Sequence, residues 1–195
     1  GAEWDALGFD HGGFVGGGGL AEPAGEVERC ALPIFWSRPT FEVNGMISGY
    51  TGDGFKTVLP SQAAAKISFR LVGTQDPAKI RDAFQAYVRA MLPADCTAEF
   101  QDHGLAPAAR MATDHAAFEQ ARAALSREWP NAAAFVGCGG SIPIAGLFKD
   151  ILGMDAMLIG FGKDDDQIHS PNEKYDLSSF HKGIRSWARI LDAIS

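Results

Sequence analysis

Four side chains combine a reactive or anion-binding type with a suggestive setting: Thr57, Arg70, Ser141 and His169. His169 follows the apolar run Met157-Leu158-Ile159-Gly160-Phe161 and the stretch Gly162-Lys163-Asp164-Asp165-Asp166-Gln167-Ile168. That order puts an imidazole in a loop just past the carboxyl end of a strand, where open α/β sheets hold their ligands. Such an imidazole can coordinate a metal while a carboxylate fixes its other ring nitrogen. Asp164, Asp165, Asp166 and Glu173 are near enough in sequence to serve. Read alone, a histidine in an acidic loop is more often a solvated surface residue, and one ligand does not make a site. Ser141 lies in Gly137-Cys138-Gly139-Gly140-Ser141-Ile142-Pro143, between a strand and a helix. The free amides of a helix start, with a hydroxyl, suit a carboxylate or an oxyanion; a plain helix cap explains the serine equally well. Arg70 ends the polar face of a strand and Thr57 opens the approach to it. A guanidinium grips a carboxylate at two points, although many sheet arginines are merely solvated.

Ser141, an aspartate at 164–166 and His169 also occur in the chain order of a serine-hydrolase triad. The nucleophile elbow of that chemistry requires glycine where this chain has Pro143, and the aspartates and His169 are too close to come from separate loops. The glycine run at 16–19 has no strand before it and no helix after it, so it reads as a flexible arm rather than a phosphate cradle. His103 reads as a turn residue; His115 and His181 read as helix-surface residues.

The elements that position these residues follow from local patterning. Glycines and prolines in residues 1–36 leave an arm with at most a short helical turn. From Thr40 to Tyr50, Phe41, Val43, Gly45 and Ile47 alternate with Glu42, Asn44 and Met46, which predicts a strand. A turn at 51–54 leads to a second strand. Its apolar face is Ala63, Ala65, Ile67, Phe69 and Leu71, and its polar face is Ala64, Lys66, Ser68 and Arg70. Asp76-Pro77 starts a helix carrying Ile80, Phe84, Val88, Met91 and Leu92, which Pro93 ends. A third strand is expected at 96–101. Strand, strand, helix, strand gives four of the six elements of a ferredoxin-like sandwich.

A new pattern begins after residue 107. Thr113 or Asp114 caps a helix with Ala117, Phe118, Ala121, Leu125 and Trp129 on one face. A strand at 132–136, a helix from Ser141 to Leu152, a strand at 154–161 and a last helix capped by Asp176 follow. Leu177, Phe180, Ile184, Trp187, Leu191 and Ile194 form an apolar stripe along that helix. The chain is therefore expected to be α+β, with one domain over 1–106, including the glycine-rich arm, and an α/β segment over 107–195.

Composition narrows the function classes. With 46% hydrophobic and 21% charged residues the chain can build cores, so disorder is excluded. A net charge of −7, without a basic cluster, argues against nucleic acid. No apolar run reaches the ~18 residues of a membrane span. Cys30, Cys96 and Cys138 are odd in number and far apart, so neither a disulfide framework nor a cysteine metal site is indicated, and a cytoplasmic setting is expected. The sequence opens on Gly1 rather than methionine, and further polypeptide is expected upstream.

Taken in order, Lys56-Thr57-Val58-Leu59-Pro60, Phe69-Arg70-Leu71-Val72, Gln75-Asp76-Pro77, Gly139-Gly140-Ser141-Ile142-Pro143 and Ile168-His169-Ser170-Pro171-Asn172-Glu173-Lys174 resemble the aminoacylase and carnosine-dipeptidase family of dizinc metallopeptidases, over about residue 38 to the end. The resemblance implies a partial ferredoxin-like lid, which also forms the dimer, followed by the C-terminal α/β segment of the catalytic domain. It implies two zinc ions, with His169 a ligand to one of them. Ser141 and Arg70 would bind the carboxylate end of a small peptide or N-acyl amino acid, and Thr57 would reach the partner's active site in a homodimer. A metal-activated water would hydrolyse the amide bond. The family's His-x-Asp motif, its Glu-Glu pair and its bridging aspartate are not in these residues and are expected upstream of Gly1, so the 195 residues alone are expected to be inactive. A non-catalytic dimerisation module derived from the lid is the alternative.

Overall fold

The computed structural model describes residues 4, 7–17, 21, 26, 31–139 and 142–195. They form an α+β chain that divides into two compact units, one of Ser37–Ala109 with Cys138–Gly146, the other of Gly1–Trp36, Arg110–Gly137 and Leu147–Ser195.

In the first unit, β1 (Thr40–Ser48) and β2 (Ala63–Arg70) form an antiparallel two-stranded sheet in which Thr40 faces Arg70 and Ser48 faces Ala63. Val43 faces Ile67 but Gly45 faces Lys66, so Asn44 is bulged out of the ladder. The bulge reverses the alternation beyond it. Ile47, opposite Ala64, falls on the face of Glu42 and Lys66, not with Phe41 and Val43 as uninterrupted patterning predicts. Helix α3 (Pro77–Met91) covers the aromatic face, where Phe41, Phe69 and Phe84 sit 5.2–6.1 Å apart between ring centres. Asp76 starts the helix by accepting the Ala78 and Lys79 amides at 2.9 and 3.3 Å, ahead of Pro77. Leu92, extended before Pro93, ends it. The expected strand at 96–101 is irregular instead. Side chains hold the stretch to α3: Phe100 meets Phe84 and lies under the Arg89 guanidinium, and Asp102 receives Arg81 and Gln85.

In the second unit, the glycine-rich arm contains two seven-residue helices, α1 (His11–Gly17) and α2 (Ala31–Ser37), where at most one turn is expected. Aromatic contacts offset the entropy that the glycines cost: Phe9 with Phe14, Phe14 with Phe35, and Trp4 with Trp36, the last pair 5.1 Å apart. The core lies between α4 (Ala116–Ser126) and α6 (Leu177–Ile194), where Ala121, Ala124 and Ile190 are buried and Met157 and Ile159 pack on them. The cap of α4 is His115, whose Nδ1 accepts the Ala117 amide at 3.1 Å, rather than Thr113 or Asp114. The stretches 132–136 and 154–161 carry no regular secondary structure and join no ladder among the described residues. They are apolar, as a buried strand is, yet a strand is defined by a hydrogen-bonded neighbour and these have none.

Helix α6 differs from its predicted orientation. It turns Ser179, Gly183, Ser186 and Ile190 inward, while its apolar stripe, including Leu177, Ile184 and Leu191, stays exposed. Small residues let α6 close on α4. A Cβ on Gly183 would stand 3.1 Å from Phe161, whose ring stacks on Trp129 and meets the edge of Trp187. Helix α5 covers Pro143–Leu152, its residues through Gly146 belonging to the first unit and those from Leu147 to the second. Among the described residues no helix is long and apolar enough to cross a membrane.

Candidate functional site

Arg70 closes β2 on the polar face of the sheet. On that face Glu42 is occupied, accepting the Ser68 hydroxyl at 2.9 Å and the Thr40 hydroxyl. Arg70 is exposed, and among the described residues it makes no ion pair. Its guanidinium is thus available to an anion. It lines a cavity of about 380 Å³ with Leu71, the loop from Gly104 to Ala108, Gly139 and Pro143. Ser141 itself lies outside the described residues, but Gly139 and Pro143 on either side of it border the same space as Arg70. Two motifs some seventy residues apart in sequence therefore meet at one cavity within one unit. Thr57 stands exposed in the loop between β1 and β2 and is not part of that lining.

His169 belongs to the other unit, in the loop between Phe161 and α6. The backbone of this loop is unusual: Gln167, His169 and Asn172 have φ of 52°, 63° and 63°. Left-handed backbone costs a non-glycine residue about 1–2 kcal/mol, and it persists only where surrounding structure imposes it. That structure is visible here. Asp164–Asp166 form a 3-10 turn, and the Asp166 carboxylate, 2% exposed, accepts the Lys163 amide at 2.8 Å and the Lys174 ammonium at 3.1 Å. The Asp166 carbonyl accepts the Lys174 amide at 3.0 Å, and the Gln167 carbonyl accepts the Ser170 amide at 2.9 Å. Lys174 also reaches Asp165 at 3.1 Å and Asp176 at 3.4 Å, while Lys163 pairs with Asp176.

These bonds set the charge states. The Lys163 amide, helped by Lys174, holds the Asp166 carboxyl below its ordinary range. Lys163, with Lys174, does the same for Asp176. Hydrogen bonds to Asp165 and Asp166 raise the Lys174 ammonium above its ordinary value. Of the aspartates that sequence proximity offered as partners for His169, Asp165 and Asp166 are thus engaged by Lys174; His169 is exposed and accepts or donates no hydrogen bond among the described residues. Sequence reading missed the two lysines as the loop's organisers. The spacing of Lys163 and Lys174 around three aspartates and Asp176 was the available signal.

Among the described residues, no group of three or more His, Cys, Asp or Glu side chains could hold a metal ion. One exposed imidazole does not supply the four-ligand shell that zinc takes. The donor set among the described residues therefore does not fit a dizinc centre by itself.

The model of peptidase family M20/M25/M40 matches residues 6–193. The Cys-Gly metallodipeptidase DUG1 of Saccharomyces cerevisiae is 31% identical over 82% of this chain, and the Beta-Ala-His dipeptidase of Rattus norvegicus is 28% identical over 84%. The chain spans about a third of the length of these curated relatives, 34% of each. Among solved structures, the di-peptidase Dug1p of Saccharomyces cerevisiae superposes with a TM-score of 0.84 at 26% identity, covering 98% of this chain and 41% of that one. An M20 family metallo-carboxypeptidase, Sso-CP2 of Sulfolobus solfataricus, gives a TM-score of 0.81 at 26% identity over 97% and 43%.

Proposed function

We propose, because this chain belongs to peptidase family M20/M25/M40, that its residues are part of a zinc-dependent dipeptidase, hydrolysing the amide bond of dipeptides or N-acyl amino acids. The observation that carries this reading is the cavity of Arg70. A guanidinium without an ion-pair partner among the described residues borders the same space as the glycine-rich start of α5. Dipeptides and N-acyl amino acids share a free carboxylate, which a guanidinium holds at two points. In this reading Arg70 and Ser141 bind that carboxylate and so fix the register of the scissile amide. Thr57 serves the active site of the partner in a homodimer built on the lid, which runs to residue 106. The segment from 107 onward supplies His169 as one zinc ligand. The remaining ligands of two zinc ions come from polypeptide outside these 195 residues, and the isolated chain is inactive.

The test compares dipeptides with their C-terminal amides as substrates of the full-length protein. Amidation removes the charge that Arg70 grips; a lost charge-assisted hydrogen bond of about 1.5–3 kcal/mol lowers kcat/KM by roughly 10- to 150-fold. Arg70→Met should inflict a similar loss on the acid and little more on the amide. Equal hydrolysis of acid and amide by the unsubstituted protein would overturn the assignment of Arg70.

A further inference from the structure

We infer that Asp166, with Lys174 as its counter-ion, is a positioning residue that holds His169 in its left-handed backbone; the inference rests on the proposed role of His169. Three observations converge on Asp166. It is buried, at 2% exposure, although its neighbours Asp164 and Asp165 are exposed. It ties both ends of the loop at once: its carboxylate binds the Lys163 amide before the loop turns, and its carbonyl binds the Lys174 amide after the turn. The Lys174 ammonium then closes the circuit by bonding the same carboxylate at 3.1 Å. Between those anchors lie all three left-handed non-glycine residues of the described chain.

The physical consequence is that the direction of the His169 side chain is set at a distance. An exposed imidazole that makes no hydrogen bond among the described residues is not oriented by one, so its aim depends on its backbone. Left-handed backbone is disfavoured for histidine, and a freed loop would relax to a commoner conformation and move the imidazole. A buried carboxylate suits this task better than an exposed one, because the Asp166 side chain, 2% exposed, meets little competing water. Asp166 touches neither substrate nor metal in this account and acts only through the loop.

Three variants of the full-length protein test it: Asp166→Asn, which keeps the shape but loses the charge; Lys174→Met, which removes the ammonium; and Lys174→Arg, which restores a cation. The first two should lower kcat on a dipeptide about 100-fold, the scale of an ångström's misplacement, with KM nearly unchanged because the carboxylate site is intact. Lys174→Arg should recover most of the loss. Lys149→Met, which breaks the exposed pair of Lys149 with Asp155, should leave kcat alone. Amide hydrogen exchange supplies a readout independent of activity: the Lys163, Ser170 and Lys174 amides should exchange faster in Asp166→Asn, while those of Ala124 and Ile190 keep their protection. Unchanged kcat in Asp166→Asn, or unchanged exchange in the loop, would overturn the inference while leaving the proposed function standing. A full-length protein that hydrolyses neither dipeptides nor N-acyl amino acids would instead remove the proposed function, and the positioning role with it.

Discussion

Replacing His169 separates what its backbone costs from what its side chain does. With φ at 63°, histidine carries about 1–2 kcal/mol of left-handed strain that glycine avoids. Glycine gives back about 0.5–1 kcal/mol through the freedom of the unfolded chain. Because the imidazole is exposed and makes no hydrogen bond among the described residues, its removal breaks no hydrogen bond there and uncovers little buried surface. His169→Gly should therefore be slightly more stable than the parent, by about 1 kcal/mol or less. For a chain of this size that is a rise of at most about 4 °C in Tm. His169→Val should fall on the other side, about 1 kcal/mol or more below the parent, since a β-branched residue tolerates this region worst. Thermal and urea denaturation of the two variants and the parent measure the order. A glycine variant clearly less stable than the parent would mean that the imidazole holds the loop together, and a valine variant as stable as the glycine one would mean that the backbone is not left-handed. Either result would refute the view that a strained position is retained for its imidazole.

Two other perturbations probe the framework around the site. Glu128, bonded by Arg185 and Arg189 and held below its ordinary range chiefly by the Arg185 hydrogen bond, stabilises the fold above about pH 4.3, the unfolded value, and loses that contribution as pH falls through its lower folded value. Glu128→Gln should thus lower Tm at pH 7, with the gap from the parent closing as the pH drops below about 4; a gap constant down to pH 2.5 would contradict the pairing. At Gly137 an added Cβ would meet the Trp36 Cβ at 2.6 Å and its carbonyl at 3.0 Å, so Gly137→Ala should cost about 1–3 kcal/mol in urea denaturation, and a neutral variant would contradict that approach.

Local chemistry made some of the fold readable from sequence. Asp76-Pro77 announces α3 because cap and first helical residue are both encoded in adjacent side chains, and β1 and β2 follow from their alternation. Features that depend on non-local geometry were not readable. Nothing in the side chains around Asn44 marks it as the bulged residue, yet one unpaired position moves Ile47 to the opposite face. In α6 the apolar stripe suggested the buried face, but burial follows the closeness that Ser179, Gly183 and Ser186 permit against α4. The apolar stretches at 132–136 and 154–161 look like strands because apolarity reports burial, whereas a strand also needs a neighbour to pair with. At the site, the order of Thr57, Arg70, Ser141 and His169 was visible, and so was the family resemblance that the M20/M25/M40 match bears out. The lysine–aspartate circuit under His169 was not, since ten residues separate Lys163 from Lys174 and only the folded turn brings both to Asp166.

The central claim is that these residues belong to a metal-dependent dipeptidase to which His169 contributes a ligand. Hydrolysis of a dipeptide by the full-length protein, before and after chelation and with the His169→Gly variant beside it, tests this most directly. The account expects hydrolysis that a chelator abolishes and added zinc restores, and a folded His169→Gly variant that zinc does not rescue. Hydrolysis insensitive to chelator, or a fully active His169→Gly variant, would contradict it.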